Sequence, residues 1–97
     1  MAAAVQAAAV FLLLPSLAVA QSKAPAAAQP CATCHGANGL STLVNAPNLA
    51  GQPVIYIAEQ MKAYRSGKRQ HEVMNVIAKP LSDADIDMLA AWYASIK

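Results

Sequence analysis

The sequence predicts a small helical domain, and two segments with the apolar spacing of an α-helix support this fold class. The first follows Pro53, which suits a first helical turn, and stops at Gly67, where a left-handed residue can end a helix. The second begins after Ser82, a preferred N-cap residue, with Asp83 and Asp85 in its first turn. Their apolar stripes are Val54, Ile57, Ala58, Met61 and Tyr64 or Arg65 in the first, and Ile86, Leu89, Ala90 and Tyr93 in the second. At 97 residues the chain forms one domain, whose core would be marginal without an added staple.

A third observation, the motif Cys31-Ala32-Thr33-Cys34-His35, supplies such a staple. Its C-x-x-C-H spacing is the sequence form of a c-type haem attachment site. Two thiols three positions apart lie on one side of a helical turn, where each can add to one vinyl group of the porphyrin. His35 is then placed to ligate the iron from the proximal side. We therefore predict that Cys31 and Cys34 hold one haem covalently and that His35 is an axial ligand.

Two other interpretations of the cysteine pair are weaker. A thioredoxin-like dithiol needs a strand before it and a βαβ pattern around it, but an Ala/Pro-rich segment precedes Cys31. A structural zinc site needs four ligands, and only His71 could complete the set. Adjacent Cys34 and His35 would also make a cramped pair of zinc ligands. Haem c is therefore the favoured cofactor.

Residues 36–52 are predicted to form an ordered loop that packs against the haem. Gly, Asn, Ser and Pro occur there at the density of turns. A histidine ligand usually donates its other ring N–H to a carbonyl or carboxylate, and a proline carbonyl in this loop could accept it. The apolar side chains expected to lie against a haem face are Leu40, Leu43, Val44 and Leu49.

Residues 70–80 contain two candidate ligands for the other face of the haem. This segment has no sustained periodicity, and we predict it to be an apolar loop. Met74 lies there between Val73 and Val76. A thioether ligand would raise the reduction potential and close the iron to small ligands. His71 is the rival ligand, but as a lone polar residue beside Glu72 it is expected at the surface.

The chain begins with the pattern of a secretory leader. Residues 1–20 are almost entirely apolar, and Ala18-Val19-Ala20 forms a small-residue cleavage site. We predict a signal peptide at 1–20, an Ala/Pro linker or short helix at 21–30, and the haem domain at 31–97. The alternative is an uncleaved membrane anchor, although Pro15 and the high alanine content weaken it. Either way we expect the haem domain to be exported, in a bacterium to the periplasm.

The charge of the chain limits its partners. A net charge of +2 argues against nucleic-acid binding. Cations collect near the end of the first predicted helix, where they would suit its dipole or form a docking patch for an acidic redox partner. These cations are Lys62, Arg65, Lys68 and Arg69, with Lys79 further along.

With these residues in view, residues 30–96 resemble the small bacterial class I c-type cytochromes, of the c553 type or of one cytochrome c4 domain. The resemblance implies an all-α, class I cytochrome c fold of three to four helices around one covalent haem, with His35 and Met74 as axial ligands. It also implies that the Pro47 carbonyl accepts the N–H of His35 and that Pro47 and Leu49 line the haem pocket. The residues that carry it are Cys31-Ala32-Thr33-Cys34-His35-Gly36, Pro47-Asn48-Leu49-Ala50-Gly51-Gln52, the Met74 loop, and Leu81-Ser82-Asp83-Ala84-Asp85-Ile86 with Trp92-Tyr93.

The function predicted from these features is single-electron transfer between protein partners, without catalysis at the iron. One alternative is a haem enzyme or gas sensor whose sixth iron position is open. Others are a subunit whose haem only staples the fold, and a cytochrome subunit of a larger periplasmic dehydrogenase or oxidase complex.

One departure from the resemblance concerns the N-terminal helix, which should cross the last helix. Only residues 21–30, with Pro25 and Pro30, lie between the expected cleavage site and Cys31. The sequence therefore predicts a shortened helix that leaves part of Trp92 or Tyr93 uncovered. From this we expect the chain to dock on a larger partner that covers the gap.

Overall fold

The computed structural model describes residues 2–10 and 23–97, and its regular structure is helical. No strand occurs in these two ranges, so the predicted all-α fold is confirmed. The elements are a 3-10 turn at Ala26–Ala28, α1 at Gln29–His35, α2 at Val54–Ser66, α3 at Met74–Ala78 and α4 at Asp83–Ser95.

The predicted leader is described only in part. Residues 2–10 have no regular secondary structure and are exposed. Met1 and residues 11–20, together with the first two residues of the predicted linker, lie outside the described residues. The signal peptide therefore stays a prediction. In the described ranges, no helix has the length and apolar character needed to cross a membrane.

Both long helices begin and end as the sequence indicates. The Ser82 hydroxyl accepts from the Asp85 N–H at 3.0 Å, and the Asp85 carboxylate accepts from the Ser82 N–H at 3.0 Å. This reciprocal capping box fixes the start of α4. α2 starts directly after Pro53 and ends at Gly67, whose φ of 82° is left-handed.

The core lies where α4 packs across α2. Ile57 of α2 is buried against Leu89, Ala90 and Tyr93 of α4. Arg65 joins the same helices at the surface: its guanidinium donates to the Leu81 carbonyl at 3.0 Å and to the Asp83 carboxylate at 2.5 Å. A longer ion pair, Lys62 to Asp87 at 3.8 Å, lies on the same side.

The short N-terminal helix still covers α4. Ala28 and Cys31 are buried in the same core cluster as Tyr93, which is 2% exposed. The expectation was that part of Trp92 or Tyr93 would be uncovered, and it does not hold for Tyr93, because the 3-10 turn before α1 packs against α4. Trp92 is half-buried and packs against the same cluster.

The prediction of a loop throughout residues 70–80 was also wrong, because α3 lies within it. The His71 side chain caps this helix: its Nδ1 accepts from the N–H groups of Val73 and Met74 at 3.1 and 3.2 Å. A helix of five residues is too short to show a period in the sequence. Its start depends on this local cap, which the apolar pattern does not reveal.

Candidate haem site

The end of α1 positions His35 for ligation. The residue is buried at 8% exposure, and α1 stops there because Gly36 turns away with a φ of 82°. A Cβ at Gly36 would collide with the Leu40 carbonyl, so the turn needs glycine. The Nδ1 of His35 lies 2.7 Å from the Pro47 carbonyl oxygen, which can only accept. Nδ1–H therefore donates, and Nε2 is left with a free lone pair.

A cleft of about 370 Å³ opens beside this histidine, within the size range of cofactor sites. α1 and the loop after it form one part of its wall, and α2, α4 and the Met74 segment form the rest. The six residues singled out from the sequence as haem contacts or ligands all line it: Cys31, Cys34, His35, Pro47, Leu49 and Met74.

Two of the loop residues expected against the haem lie elsewhere. Leu40 is 62% exposed and Val44 is fully exposed, and neither lines the cleft, whereas Leu43 and Leu49 do. The loop turns at residues 36–39, where the Gly39 N–H donates to the Gly36 carbonyl at 3.1 Å. The Gly39 carbonyl accepts from the N–H groups of Leu49 and Ala50 at 2.8 and 3.0 Å, which brings the Pro47–Leu49 segment back to the cleft.

Several lining residues were not identified from the sequence as contacts for a cofactor. In the sequence these residues belong only to the apolar stripe or the polar surface of a helix. Such a pattern does not distinguish a residue of the protein core from one that contacts a cofactor. They include Tyr56, Gln60, Met61 and Tyr64 of α2, Arg69 after it, and Leu89 and Tyr93 of α4. Arg69 lies 4.6 Å from the centre of the Tyr64 ring and donates to the Gln60 side chain at 2.6 Å.

The cleft fits a large apolar group with two points of covalent attachment. Both thiols of the motif are free and face it. The Tyr93 hydroxyl is buried on the same wall and has no hydrogen-bond partner of good geometry. Burial, with the nearby Cys31 thiol, raises the pKa of Tyr93 above its ordinary value, and burial likewise raises the pKa of the Cys31 thiol. A buried, unpartnered hydroxyl beside an attachment cysteine indicates a wall built to contact another group.

The two candidate distal residues both reach the cleft. Met74 is half-buried at the start of α3, and His71 is exposed on the loop before it. Since the Nδ1 lone pair of His71 accepts two backbone N–H groups, its neutral ring carries the proton on Nε2. Met74 has no such competing use of its sulfur among the hydrogen bonds of the described residues.

The helical fold, the paired thiols and the buried histidine define a protein that holds haem c in a small α-helical domain. A family model described as cytochrome c matches residues 19–97, and the chain belongs to this family. The family implies a covalently bound haem c, as predicted from the motif.

Relatives and a solved structure agree on this class. The thiosulfate dehydrogenase electron acceptor of Thiomonas intermedia (strain K12) is 41% identical over 75 residues, which are 76% of this chain and 35% of that protein. Cytochrome c-554(548) of Halomonas halodenitrificans is 41% identical over 68 residues, covering 67% of this chain and 82% of that one. Reduced cytochrome c4 from Pseudomonas stutzeri superposes with a TM-score of 0.65 at 32% identity, over 69% of this chain and 38% of that chain.

The chain thus has the class I cytochrome c fold, and it spans about a third of the length of the Thiomonas relative. The relatives are described as a thiosulfate dehydrogenase electron acceptor and as cytochromes, which is consistent with the electron-transfer class that the sequence predicted.

Proposed function

We propose that this chain is an exported monohaem cytochrome that passes single electrons between protein partners, with His35 and Met74 as the axial ligands of its haem. The observation that carries this proposal is the cleft itself. Cys31, Cys34, His35 and Met74 all line this one cavity, and the Pro47 carbonyl bonds the Nδ1 of His35, which leaves its Nε2 free. Haem c, when bound there, supplies an iron that alternates between the ferric and ferrous states.

The residues around the cleft have separate tasks in this function. The Pro47 carbonyl holds the proton of His35 on Nδ1, so that the other ring nitrogen keeps its lone pair and orientation. Leu49, Met61 and Leu89 give the wall its apolar character and limit the access of water. Thioether links at Cys31 and Cys34 would keep the cofactor in place while its charge changes.

Met74 is the better distal ligand because His71 is already used. His71 Nδ1 stabilises the first turn of α3, and its Nε2 carries a proton in the neutral ring. Ligation by His71 would break those bonds or require a different tautomer. A thioether in this position raises the reduction potential and closes the iron to small ligands.

A substitution tests this ligand set. Holoprotein should show the weak band near the red end of the ferric spectrum that a bound thioether gives, and its reduced form should not bind carbon monoxide. Met74→Ala should lose the band, lower the reduction potential and gain carbon monoxide binding. Met88→Ala is the matched control, since Met88 is 44% exposed on α4 and does not line the cleft.

The opposite result would favour one of the alternatives. If unmodified protein lacks the band and binds carbon monoxide, the site is open, as in a haem enzyme or gas sensor. If Met74→Ala leaves the ferric band and the reduction potential unchanged, Met74 is not the ligand. A holoprotein that exchanges no electrons with redox partners would have a haem with only a structural role.

Fewer cations are available to dock a redox partner than the sequence indicated. Lys62 and Arg65 pair with Asp87 and Asp83, so they serve the α2–α4 interface. Lys68 and Lys79 are exposed and form no ion pair within the described residues, and Arg69 lies on the cleft wall. We propose that these three cations guide an acidic partner to the cleft, in the small, weak interface typical of electron exchange.

One relative favours a more specific role, as the electron-accepting part of a dehydrogenase system. The Thiomonas protein is described as a thiosulfate dehydrogenase electron acceptor and matches 76% of this chain. A direct test mixes oxidised holoprotein with a thiosulfate dehydrogenase and follows reduction of the haem by absorbance. Reduction that depends on both enzyme and thiosulfate supports this role. No acceleration over thiosulfate alone rejects it.

Export is the remaining part of the proposal, supported by the leader pattern and by the need of c-type haem for attachment after transport. The mass of protein matured in a host competent for cytochrome c assembly reports both events. We expect a chain starting at Gln21 with one haem added. A haem-bearing chain that retains residues 1–20 would favour the uncleaved membrane anchor.

A further inference from the structure

The side chain of Asn75 joins three separate points of the backbone beside the cleft. Its Nδ2 amide donates to the carbonyl oxygens of Tyr64 and Arg69, each at 2.8 Å. Its Oδ1 accepts from the His71 N–H at 2.7 Å. Both amide hydrogens and one oxygen lone pair are therefore used, although Asn75 is only half-buried.

These contacts connect the end of α2 to the start of α3. Tyr64 lies in the last turn of α2, and its carbonyl oxygen accepts from the Gly67 N–H at 3.2 Å as well as from Asn75. Arg69 and His71 belong to the segment that follows, and Asn75 is the second residue of α3, directly after Met74. One side chain thus fixes the first turn of α3 against a long helix of the core.

Burial does little to hold this turn. Val73 is 50% exposed and Val76 is 70% exposed, and within α3 only Ala78, at the far end, is buried. A helix of five residues has no stability of its own. The backbone position of Met74 therefore depends on the hydrogen bonds of Asn75, with the His71 cap as their complement.

We infer that Asn75 is the positioning residue for Met74: its three side-chain hydrogen bonds hold the start of α3 on the cleft, so that the Met74 thioether outcompetes external ligands. This inference rests on the proposed ligation by His35 and Met74. Asn75 itself does not line the cleft and acts only through the backbone.

The test uses imidazole as a competing ligand for ferric holoprotein. Imidazole binds only when the Met74 segment has moved away, so its apparent affinity reports the population of that open state. Asn75→Ala removes these side-chain hydrogen bonds. Their loss should raise the equilibrium constant for opening of the Met74 segment about tenfold. We expect imidazole to bind about tenfold more tightly to Asn75→Ala, and the red-end ferric band to fade well below the temperature of global unfolding.

Two control variants separate positioning from general destabilisation. Gln70→Ala removes a side-chain amide in the same segment that donates to the Gly67 carbonyl at 2.6 Å but does not reach α3. Ile86→Val lowers global stability, because Ile86 of α4 is fully buried. Both should bind imidazole as the unmodified protein does.

The outcomes distinguish this inference from the ligand proposal. If Met74→Ala abolishes the ferric band but Asn75→Ala binds imidazole no more tightly than the unmodified protein, Asn75 has no positioning role and Met74 is still the ligand. If Ile86→Val increases imidazole affinity as much as Asn75→Ala, the effect is global and the inference is overturned. If the unmodified protein has no thioether band, the ligand proposal fails and the inference fails with it.

Discussion

At the level of single residues, the chemistry of His35 depends on an acceptor twelve positions later in the chain. The motif places the imidazole at the end of α1, but the Pro47 carbonyl decides which ring nitrogen keeps the proton. His71 shows the reverse case, because two backbone N–H groups donate to its Nδ1 and the neutral ring therefore carries its proton on Nε2. The same residue type is therefore a candidate ligand in one place and a helix cap in the other.

Gly39 provides a prediction at this scale. Its φ is 71°, and an added Cβ would lie 2.7 Å from the Ala50 nitrogen and 3.0 Å from the Tyr93 ring. Gly39→Ala should therefore cost more than the roughly 1–2 kcal/mol of left-handed strain alone. Gly67→Ala is the matched control, since its φ is 82° but its nearest neighbour, the Gln70 side chain, is 3.7 Å away. Chemical denaturation of both holoproteins measures the difference, and equal losses would contradict the steric argument.

Tyr93 leads to a prediction about alkaline pH. Burial raises the pKa of Tyr93 above the ordinary value of 10.0, so the folded protein keeps a proton that the unfolded chain releases. Its contribution to stability is fully present below pH 10 and is lost as the pH rises further. The melting temperature of the unmodified protein should fall more between pH 9 and about 11 than that of Tyr93→Phe. Tyr56→Phe, at a position 49% exposed, is the control. Parallel curves for the protein and Tyr93→Phe would reject this linkage.

At the scale of helices, the two long elements could be derived from their caps and apolar stripes. Ser82, Pro53 and Gly67 define ends that local geometry enforces. α3 could not be derived, since its five residues are shorter than any reliable period. It depends on the local His71 cap and on the side chain of Asn75, whose Tyr64 partner comes close only once the chain has folded back on α2.

The Arg65–Asp83 pair joins α2 to the start of α4, and its effect should depend on acid pH. The hydrogen bond and charge of Arg65 lower the pKa of Asp83 below its ordinary value. The stabilisation is therefore present above the pKa of the unfolded carboxyl and is lost as the pH falls through the folded one. Asp83→Asn should lower the melting temperature at pH 7 but not at about pH 2, and added salt should reduce the difference.

Asp87→Asn is the control for that experiment. Its ion pair with Lys62 is longer, at 3.8 Å, so the effect at pH 7 should be smaller. A difference between Asp83→Asn and the unmodified protein that persisted unchanged at low pH would show that the ion pair is not responsible.

At the scale of the whole molecule, the protein core is small for a stable domain. Ile86 is the one large side chain that is fully buried among the described residues, and several apolar residues around the cleft remain half-exposed. Domains of this size usually need a staple. Haem c attached at Cys31 and Cys34 would complete the core, because the cleft wall would pack against it.

The double variant Cys31→Ala/Cys34→Ala tests this dependence. Without covalent attachment we expect the cooperative thermal transition in far-ultraviolet circular dichroism to disappear or to shift down by at least about 10 °C, as a loss of a few kcal/mol gives in a domain of this size. Thr33→Ala, an exposed position within the same motif, should unfold as the unmodified protein does. A double variant with an unchanged transition would show that the polypeptide folds without its cofactor.

The sequence by itself determined the cofactor, the two long helices and the candidate ligands, because covalent attachment and helix caps are local: they depend on residues within a few positions of each other. Only the tertiary structure decided which residues share the cleft with them. Leu43 lines it and Leu40 does not, and Asn75 bonds the end of α2, since both depend on groups that come close only when α2, α3 and the loop after α1 pack together.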